Sequence, residues 1–262
     1  MEDAIRRMTE EIDGALDHGL HSLWLYGSVV LDDYRLGWSD IDFIAFSKYP
    51  VSMEQASRLL PLRQDLSARF PHNPYYRSFE GVIVSFQEYL TGQYTRLVYW
   101  GTSGQRITDR FRLDPFSRWE LVRHGKQVYG APVEGLFMEP TRAELIDAVR
   151  QHCEGIRRYA VETDERLYSC GWLLDIARCV YTLRYGGVIA KTRAGEWALN
   201  EHLFPEEDAL QRTLMIRRGP LAYKDRPEVK EWLRSLGPTV QRYADVLERE
   251  LKKVGMDTDK LP

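Results

Sequence analysis

Trp24-Leu-Tyr-Gly-Ser-Val-Val-Leu-Asp-Asp-Tyr-Arg-Leu-Gly-Trp-Ser-Asp-Ile-Asp-Phe-Ile-Ala-Phe46 is the stretch from which the fold of the N-terminal half can be read. An apolar run ends in Gly27-Ser28, residues 29–39 intervene, and Asp40 and Asp42 open a second apolar run. Strand side chains alternate faces, so Asp40 and Asp42 project from one face while Ile41 and Phe43 enter a core. Two carboxylates side by side repel each other unless a cation lies between them. Their hard oxygens suit Mg²⁺ carrying a phosphate substrate. Gly27 allows a backbone to approach a polyphosphate closely, and Ser28 is expected to open a helix whose free N–H groups attract anions.

The combination points to nucleotidyl transfer, an in-line displacement at phosphorus in which two metal ions roughly 3.5–4 Å apart stabilise the attacking and leaving oxygens. Such a site calls for a third carboxylate. Glu80 heads the next apolar strand, Glu80-Gly-Val-Ile-Val-Ser-Phe86, as Asp42 heads its own, and neighbouring strands bring their ends together.

Working outward, residues 2–18 carry Ile5, Met8, Ile12, Ala15 and Leu16 at helical spacing, and a strand spans 22–26. Residues 52–70 form a helix made irregular by Pro61, 96–100 form a further strand, 101–115 form a loop, and 117–124 form a helix stopped by Gly125. Tyr75, Tyr76, Tyr99 and Trp100 have the aromatic faces to line a nucleotide base, but packing is the preferred reading, and His124 is read as a cap or linker residue rather than a catalyst. From Thr141 the period stays helical, with Thr141 and Glu144 in capping-box relation ahead of the stripe Leu145, Val149, Cys153, Ile156 and Ala160. Residues 172–183 are apolar nearly all round, a central buried helix. Further helices cover 192–203 and 206–218, followed by a C-terminal pair divided at Gly237-Pro238. The Gly130, Pro132 and Pro140 cluster divides the chain into residues 1–135 and 136–262.

Composition narrows the function. The chain has 262 residues, 44% of them hydrophobic, enough for two modest cores. Its 36 basic and 39 acidic residues leave a net charge of −3, without the basic field of a nonspecific nucleic-acid binder. Cys153, Cys170 and Cys179 form no Cys-x-x-Cys pair and have no histidine at ligand spacing, the pattern of buried thiols in a reducing compartment. The N-terminus lacks the apolar core of a signal peptide and no stretch approaches the roughly 20 apolar residues of a membrane span. A soluble cytoplasmic protein is expected, with a monomer favoured.

Leu-Tyr-Gly-Ser at 25–28 and Ser-Asp-Ile-Asp at 39–42 resemble the polymerase-beta-like nucleotidyltransferase superfamily. Ile-Ala-Arg-Cys-Val-Tyr-Thr at 176–182 and Gly-Val-Ile-Ala-Lys-Thr-Arg-Ala-Gly-Glu-Trp-Ala-Leu at 187–199 extend the likeness to the aminoglycoside adenylyltransferases acting on streptomycin and spectinomycin. The resemblance implies an α+β architecture: a nucleotidyltransferase domain with a mixed sheet, followed by an all-helical substrate-binding domain. It implies transfer of AMP from ATP, as cosubstrate, to a hydroxyl of a small cationic acceptor. Asp40, Asp42 and Glu80 would hold two Mg²⁺ ions, Glu80 also being the base. Gly27, Ser28 and Ser39 would contact the nucleotide from the N-terminal half, and Arg178, Lys191 and Tyr223 would reach its phosphates from the helical half. No nucleic acid or membrane partner is expected.

Arg178 interrupts an apolar helix, where an unpaired cation is costly, so it needs an anion. Both a nucleotide and Asp175, on the same helix, meet that need. On the acceptor side Tyr159 stands for the family's aromatic and Asp164 for an acidic position, while Tyr168 occupies a second acidic position. Glu162, Asp164 and Glu165 still form a negative rim suited to a polycation. The alternatives from other classes are a protein-adenylylating enzyme of antitoxin type, disfavoured by the long helical half, and a non-catalytic nucleotide-binding module, disfavoured by the three carboxylates.

Overall fold

The computed structural model describes residues 1–101, 104–133 and 135–258, with side chains to 254. Two compact units make it up. The first comprises Met1–Leu31, Ser39–Leu113 and Glu120–Met138; the second comprises Asp32–Trp38, Asp114–Trp119 and the chain from Glu139 onward. The boundary expected at 135/136 falls close to the last of these divisions, but segments 32–38 and 114–119 pack with the helical unit, which no local composition shift announces.

The first unit contains helix α1 (Glu2–Ala15), strands β1 (Leu20–Tyr26) and β2 (Ile41–Ser47), helices α2 (Met53–Leu59) and α3 (Leu62–Arg69), strand β3 (Phe79–Ser85), helix α4 (Phe86–Thr91), and strands β4 (Leu97–Gly101) and β5 (Gly104–Thr108). Helix α5 (Pro115–His124) leads into strand β6 (Lys126–Tyr129). The strands form one mixed sheet in the order β5-β4-β3-β2-β1-β6, in which β2 and β3 are parallel and the other pairs antiparallel. The parallel pair needs a crossover, which α2 and α3 supply. Pro61 divides these two helices, because it has no N–H to continue the ladder. Ser52 and Gln55 cap α2 reciprocally.

Ile41 and Phe43 are buried on one face of β2, with Phe43 against Phe79 and Trp100 at ring distances of 6.2 and 5.4 Å. Ile44 and Phe46 pack on the other face with Val82, Val84 and Leu97. Two outcomes differ from expectation. Residues 104–108 are the edge strand β5 rather than loop, and 126–129 form a second edge strand, β6. Gly-Gln-Arg-Ile-Thr and Lys-Gln-Val-Tyr bury little apolar surface, so their strand state comes from pairing with β4 and β1. Residues 102–103 of the expected loop lie outside the described residues.

The second unit contains α6 (Arg142–Tyr159), α7 (Tyr168–Tyr185), α8 (Lys191–Asn200), α9 (Glu207–Arg218), α10 (Pro220–Tyr223), α11 (Pro227–Arg234) and α12 (Gly237–Thr258). The Thr141–Glu144 capping box forms as expected. Helix α7 runs through the middle of this unit with Leu173, Leu174, Ile176, Ala177 and Val180 buried. Cys153, Cys170 and Cys179 are buried free thiols, and burial pushes Cys153 up to about 11 and Cys170 up to about 12. No described helix is long and apolar enough to cross a membrane.

A buried ion pair ties segment 32–38 into this unit. Asp33 accepts from Arg217 Nη2 at 2.7 Å, from the Thr192 hydroxyl at 2.5 Å and from the Thr192 backbone N–H at 3.2 Å. Arg217 Nε donates to the Thr192 hydroxyl at 3.0 Å, and its guanidinium lies 5.3 Å from the Trp38 ring centre. Asp33→Ala strands the Arg217 charge in a dry interior and is expected to cost about 3–5 kcal/mol in urea unfolding, whereas replacing both residues by apolar ones costs much less. Burial opposes the Asp33 charge, but Arg217 and Thr192 outweigh it and hold its carboxyl below the usual range. The pair's contribution is therefore complete above the ordinary carboxyl pKa and is lost as pH falls through the depressed one. Asp33→Asn should flatten that acid limb.

Candidate active site

Gly27 turns the chain out of β1 at φ +69°, a left-handed conformation that glycine adopts without strain. A Cβ there would lie 2.1 Å from Asp42 Oδ2, so the close approach of this turn to β2 requires glycine. Residues 27–29 form a single 3₁₀ turn, not the α-helix expected after Ser28. The helix-dipole contribution assigned to Ser28 therefore drops out. Its hydroxyl instead donates to the Asp40 carbonyl at 3.3 Å, joining the two motifs. Ser39 is buried just ahead of them.

Register builds the carboxylate site. Tyr26 on β1 faces Asp42 on β2, and Asp42 faces Glu80 on β3. Residues directly opposite in a sheet share a face, so these three side chains form one row. Asp40 precedes Asp42 by two residues, with Ile41 buried between them, as the alternation predicts. Gly81, next to Glu80, would carry a Cβ 2.0 Å from the Phe43 carbonyl oxygen, which explains a second glycine at the strand heads.

Around the row stand residues that sequence reading did not assign to a site. The Tyr99 hydroxyl donates to Glu80 Oε1 at 3.3 Å. Burial, then Asp42, Glu120, Tyr99 and Glu80, push the Tyr26 phenol well above its usual range, so it stays protonated. Burial and Glu80 raise Tyr99 similarly. Arg63 of α3 donates to the carbonyls of Phe79 at 2.8 Å and Gly101 at 3.3 Å; burial lowers its pKa, while Glu80 and Asp40 favour its charge. Glu120 is a buried carboxylate of α5. Strand register brings Tyr26 into the row, and its place beside Gly27 was an available clue. Arg63 and Glu120 carry no local signal.

Among the described residues no three His, Cys, Asp or Glu side chains are gathered closely enough to hold a metal ion by themselves. The carboxylate oxygens at Asp40, Asp42 and Glu80 nevertheless suit Mg²⁺ chemically, with phosphate or water oxygens completing its shell, as Mg²⁺ usually requires.

In the helical unit Asp175 gathers both expected phosphate-binding cations. Lys191 Nζ lies 2.9 Å and Arg178 Nη2 3.2 Å from Asp175 Oδ1. Burial works against the Asp175 charge, but Lys191 and Arg178 outweigh it and lower its pKa. The intrahelical pair is thus present, and a second cation shares it. The Arg178 guanidinium also lies 5.3 Å from the Phe116 ring centre, and His152 stacks on the same ring at 5.0 Å. Burial opposes the His152 charge, yet hydrogen bonds to Asp114 and Cys179 raise its pKa to about 10. Tyr223 closes α10 and carries Arg226 on its ring at 4.7 Å.

Tyr159 and Tyr168 are both exposed, Tyr168 lying edge-on to Trp172 at 4.8 Å. Asp164 accepts from Arg166 Nε at 2.6 Å and from the Ser169 hydroxyl at 3.1 Å, and Glu165 pairs with Arg234. Two of the three rim carboxylates expected to attract a polycation are therefore already compensated within the chain, Asp164 by the neighbouring Arg166 and Glu165 by Arg234, 69 residues away.

The family model of the aminoglycoside adenylyltransferase C-terminal domain matches residues 136–246. No curated protein matches the chain. Among solved structures, the chain is similar to the crystal structure of a spectinomycin adenyltransferase from Enterococcus faecialis with ATP and spectinomycin, at a TM-score of 0.65 and 17% identity, covering 95% of this chain and 99% of that one. At this identity the likeness is one of fold. Residues 136–246 thus match the aminoglycoside adenylyltransferase C-terminal domain in sequence, and nearly the whole chain shares the fold of a spectinomycin adenyltransferase.

Proposed function

We propose that the protein transfers AMP from ATP to a hydroxyl of a small aminoglycoside or aminocyclitol antibiotic and releases pyrophosphate. The observation that carries this reading is the Tyr26–Asp42–Glu80 row beside Gly27. The acceptor oxygen forms its bond to the α-phosphorus as the α–β bridging P–O bond breaks. Glu80 takes the hydroxyl proton, and pyrophosphate leaves with the bridging oxygen. Asp40, Asp42 and Glu80 would hold Mg²⁺, which when bound would supply charge neutralisation at the phosphates. Gly27, Ser28 and Ser39 contact the nucleotide, and Arg178, Lys191 and Tyr223 its phosphates. Tyr159, Asp164 and Tyr168 bind the acceptor. ATP use and three free thiols support a cytoplasmic location. Mass spectrometry of aminoglycosides and spectinomycin incubated with the protein and Mg-ATP tests the reading: an acceptor mass gain equal to AMP is expected, and its absence across the panel would overturn it.

Lys191→Ala removes a charge-assisted contact worth roughly 1.5–3 kcal/mol, so the KM for ATP should rise about 10- to 100-fold with a smaller effect on kcat. Steady-state kinetics at saturating acceptor measure this. An unchanged ATP KM would confine Lys191 to its pair with Asp175.

A further inference from the structure

The helical unit contains an open pocket of about 370 Å³ whose lining includes the aromatic rings of Trp38 and Tyr168. Its volume suits a small organic ligand. Trp38 lies in a turn of the segment anchored by Asp33, packs beside Gly171 and stands against Arg217, so the buried ion pair helps to hold its ring. The charged lining comprises three cations, Arg166, Lys224 and Lys230, and two carboxylates, Glu165 and Asp225.

The commitments of these charges decide what the pocket attracts. Arg166 is held by Asp164, and Glu165 by Arg234. The side chains of Lys224, Asp225 and Lys230 have no hydrogen bond or ion pair among the described residues. An entering ligand thus meets two uncommitted ammonium groups and one uncommitted carboxylate. To gain a second carboxylate it must break an arginine pair already made. A polycation is repelled by this arrangement, while a compact, hydroxyl-rich ring system of low charge can lie against the aromatic lining.

We propose that Lys224 and Lys230 are specificity-determining residues that exclude polycations, and that the acceptor is a compact, polyhydroxylated molecule of low positive charge lying in the pocket that Trp38 and Tyr168 line. The proposal rests on the reading of this region as the acceptor site. It departs from the polycationic acceptor that the acidic stretch 162–165 suggests.

Calorimetric binding of streptomycin, a polycation, and spectinomycin, a smaller dication, to the full chain and to K224E/K230E tests it, with thermal melting as the check on folding. The double reversal changes the pocket by four charge units and should tighten streptomycin binding about tenfold or more, because each charge acts within a Debye length of the ligand. Spectinomycin binding should change by a smaller factor, and added salt should not weaken streptomycin binding to the wild type. Trp38→Ala should weaken spectinomycin binding. Streptomycin binding to the wild type at least as tightly as spectinomycin and weakening with salt, or no gain in the double variant, would overturn the proposal. If neither probe binds the wild type, streptomycin capture by the double variant alone supports it, and no binding to either protein overturns it. Failure of the AMP-transfer reading is distinguishable, since it appears as absence of an AMP adduct while charge-dependent binding persists.

Discussion

Asp42→Asn should abolish AMP transfer, lowering pyrophosphate release at least about 10³-fold, the scale of several kcal/mol of charge stabilisation around a transferring phosphoryl group. The fold should survive, since Asn keeps the volume and Asp42 sits at the strand head where Ile41 and Phe43 carry the packing. What changes is one negative charge at the centre of a row shared with Tyr26 and Glu80 and closed on one side by Gly27. Pyrophosphate release measured at saturating Mg-ATP, beside a melting curve, separates the two effects. Near-normal release in a folded variant would remove Asp42 from the chemistry and with it the metal role of the pair.

Glu80→Gln should lower the chemical rate by roughly 10²–10⁴-fold, the range for loss of a general base, with little change in ATP affinity. Glutamine can still accept the Tyr99 hydrogen bond through its carbonyl oxygen, so the side chain keeps its position. It can no longer take a proton. Single-turnover kinetics with ATP in excess report the chemical step, and equilibrium binding of a non-hydrolysable ATP analogue reports affinity. A lower melting temperature with unchanged activity per folded molecule would mark Glu80 as a structural strand-end acid.

The motif residues were legible because they lie on alternating strands. Asp40, Asp42 and Glu80 could be placed before any strand pairing was known, since each heads an apolar run and period-two alternation fixes its face. Tyr99 packs against the sheet core as its apolar strand implies, and the pairing of β3 with β4 also turns its hydroxyl toward Glu80, which nothing in the pattern of β4 signals. The helix expected at Ser28 failed for a different reason. Gly27 at positive φ and the return toward Asp40 leave room for one 3₁₀ turn.

The edge strands β5 and β6 show the limit of periodicity, since a polar segment at a sheet margin gains its hydrogen bonds from a neighbour and buries little of its own. The acidic rim shows the limit of counting charges. Asp164 is two residues from Arg166, but Glu165 finds Arg234 across the helical unit, so a formally negative stretch offers little free negative charge. Arg178 was open between a nucleotide and Asp175, and the structure adds Lys191 to the same carboxylate.

Local pattern alone was enough for the strands that carry the carboxylates at 40, 42 and 80 and for the helical character of the C-terminal half, because alternation, helical period and capping act over a few residues; the edge strands β5 and β6 lay beyond it. That Asp33, between the Gly27-Ser28 turn and Asp40, belongs to the helical unit, bonded to Thr192 and Arg217, 159 and 184 residues away, is a property of the folded chain alone. Pairings at that separation are selected by burial and charge once the chain is compact, and no local pattern encodes them.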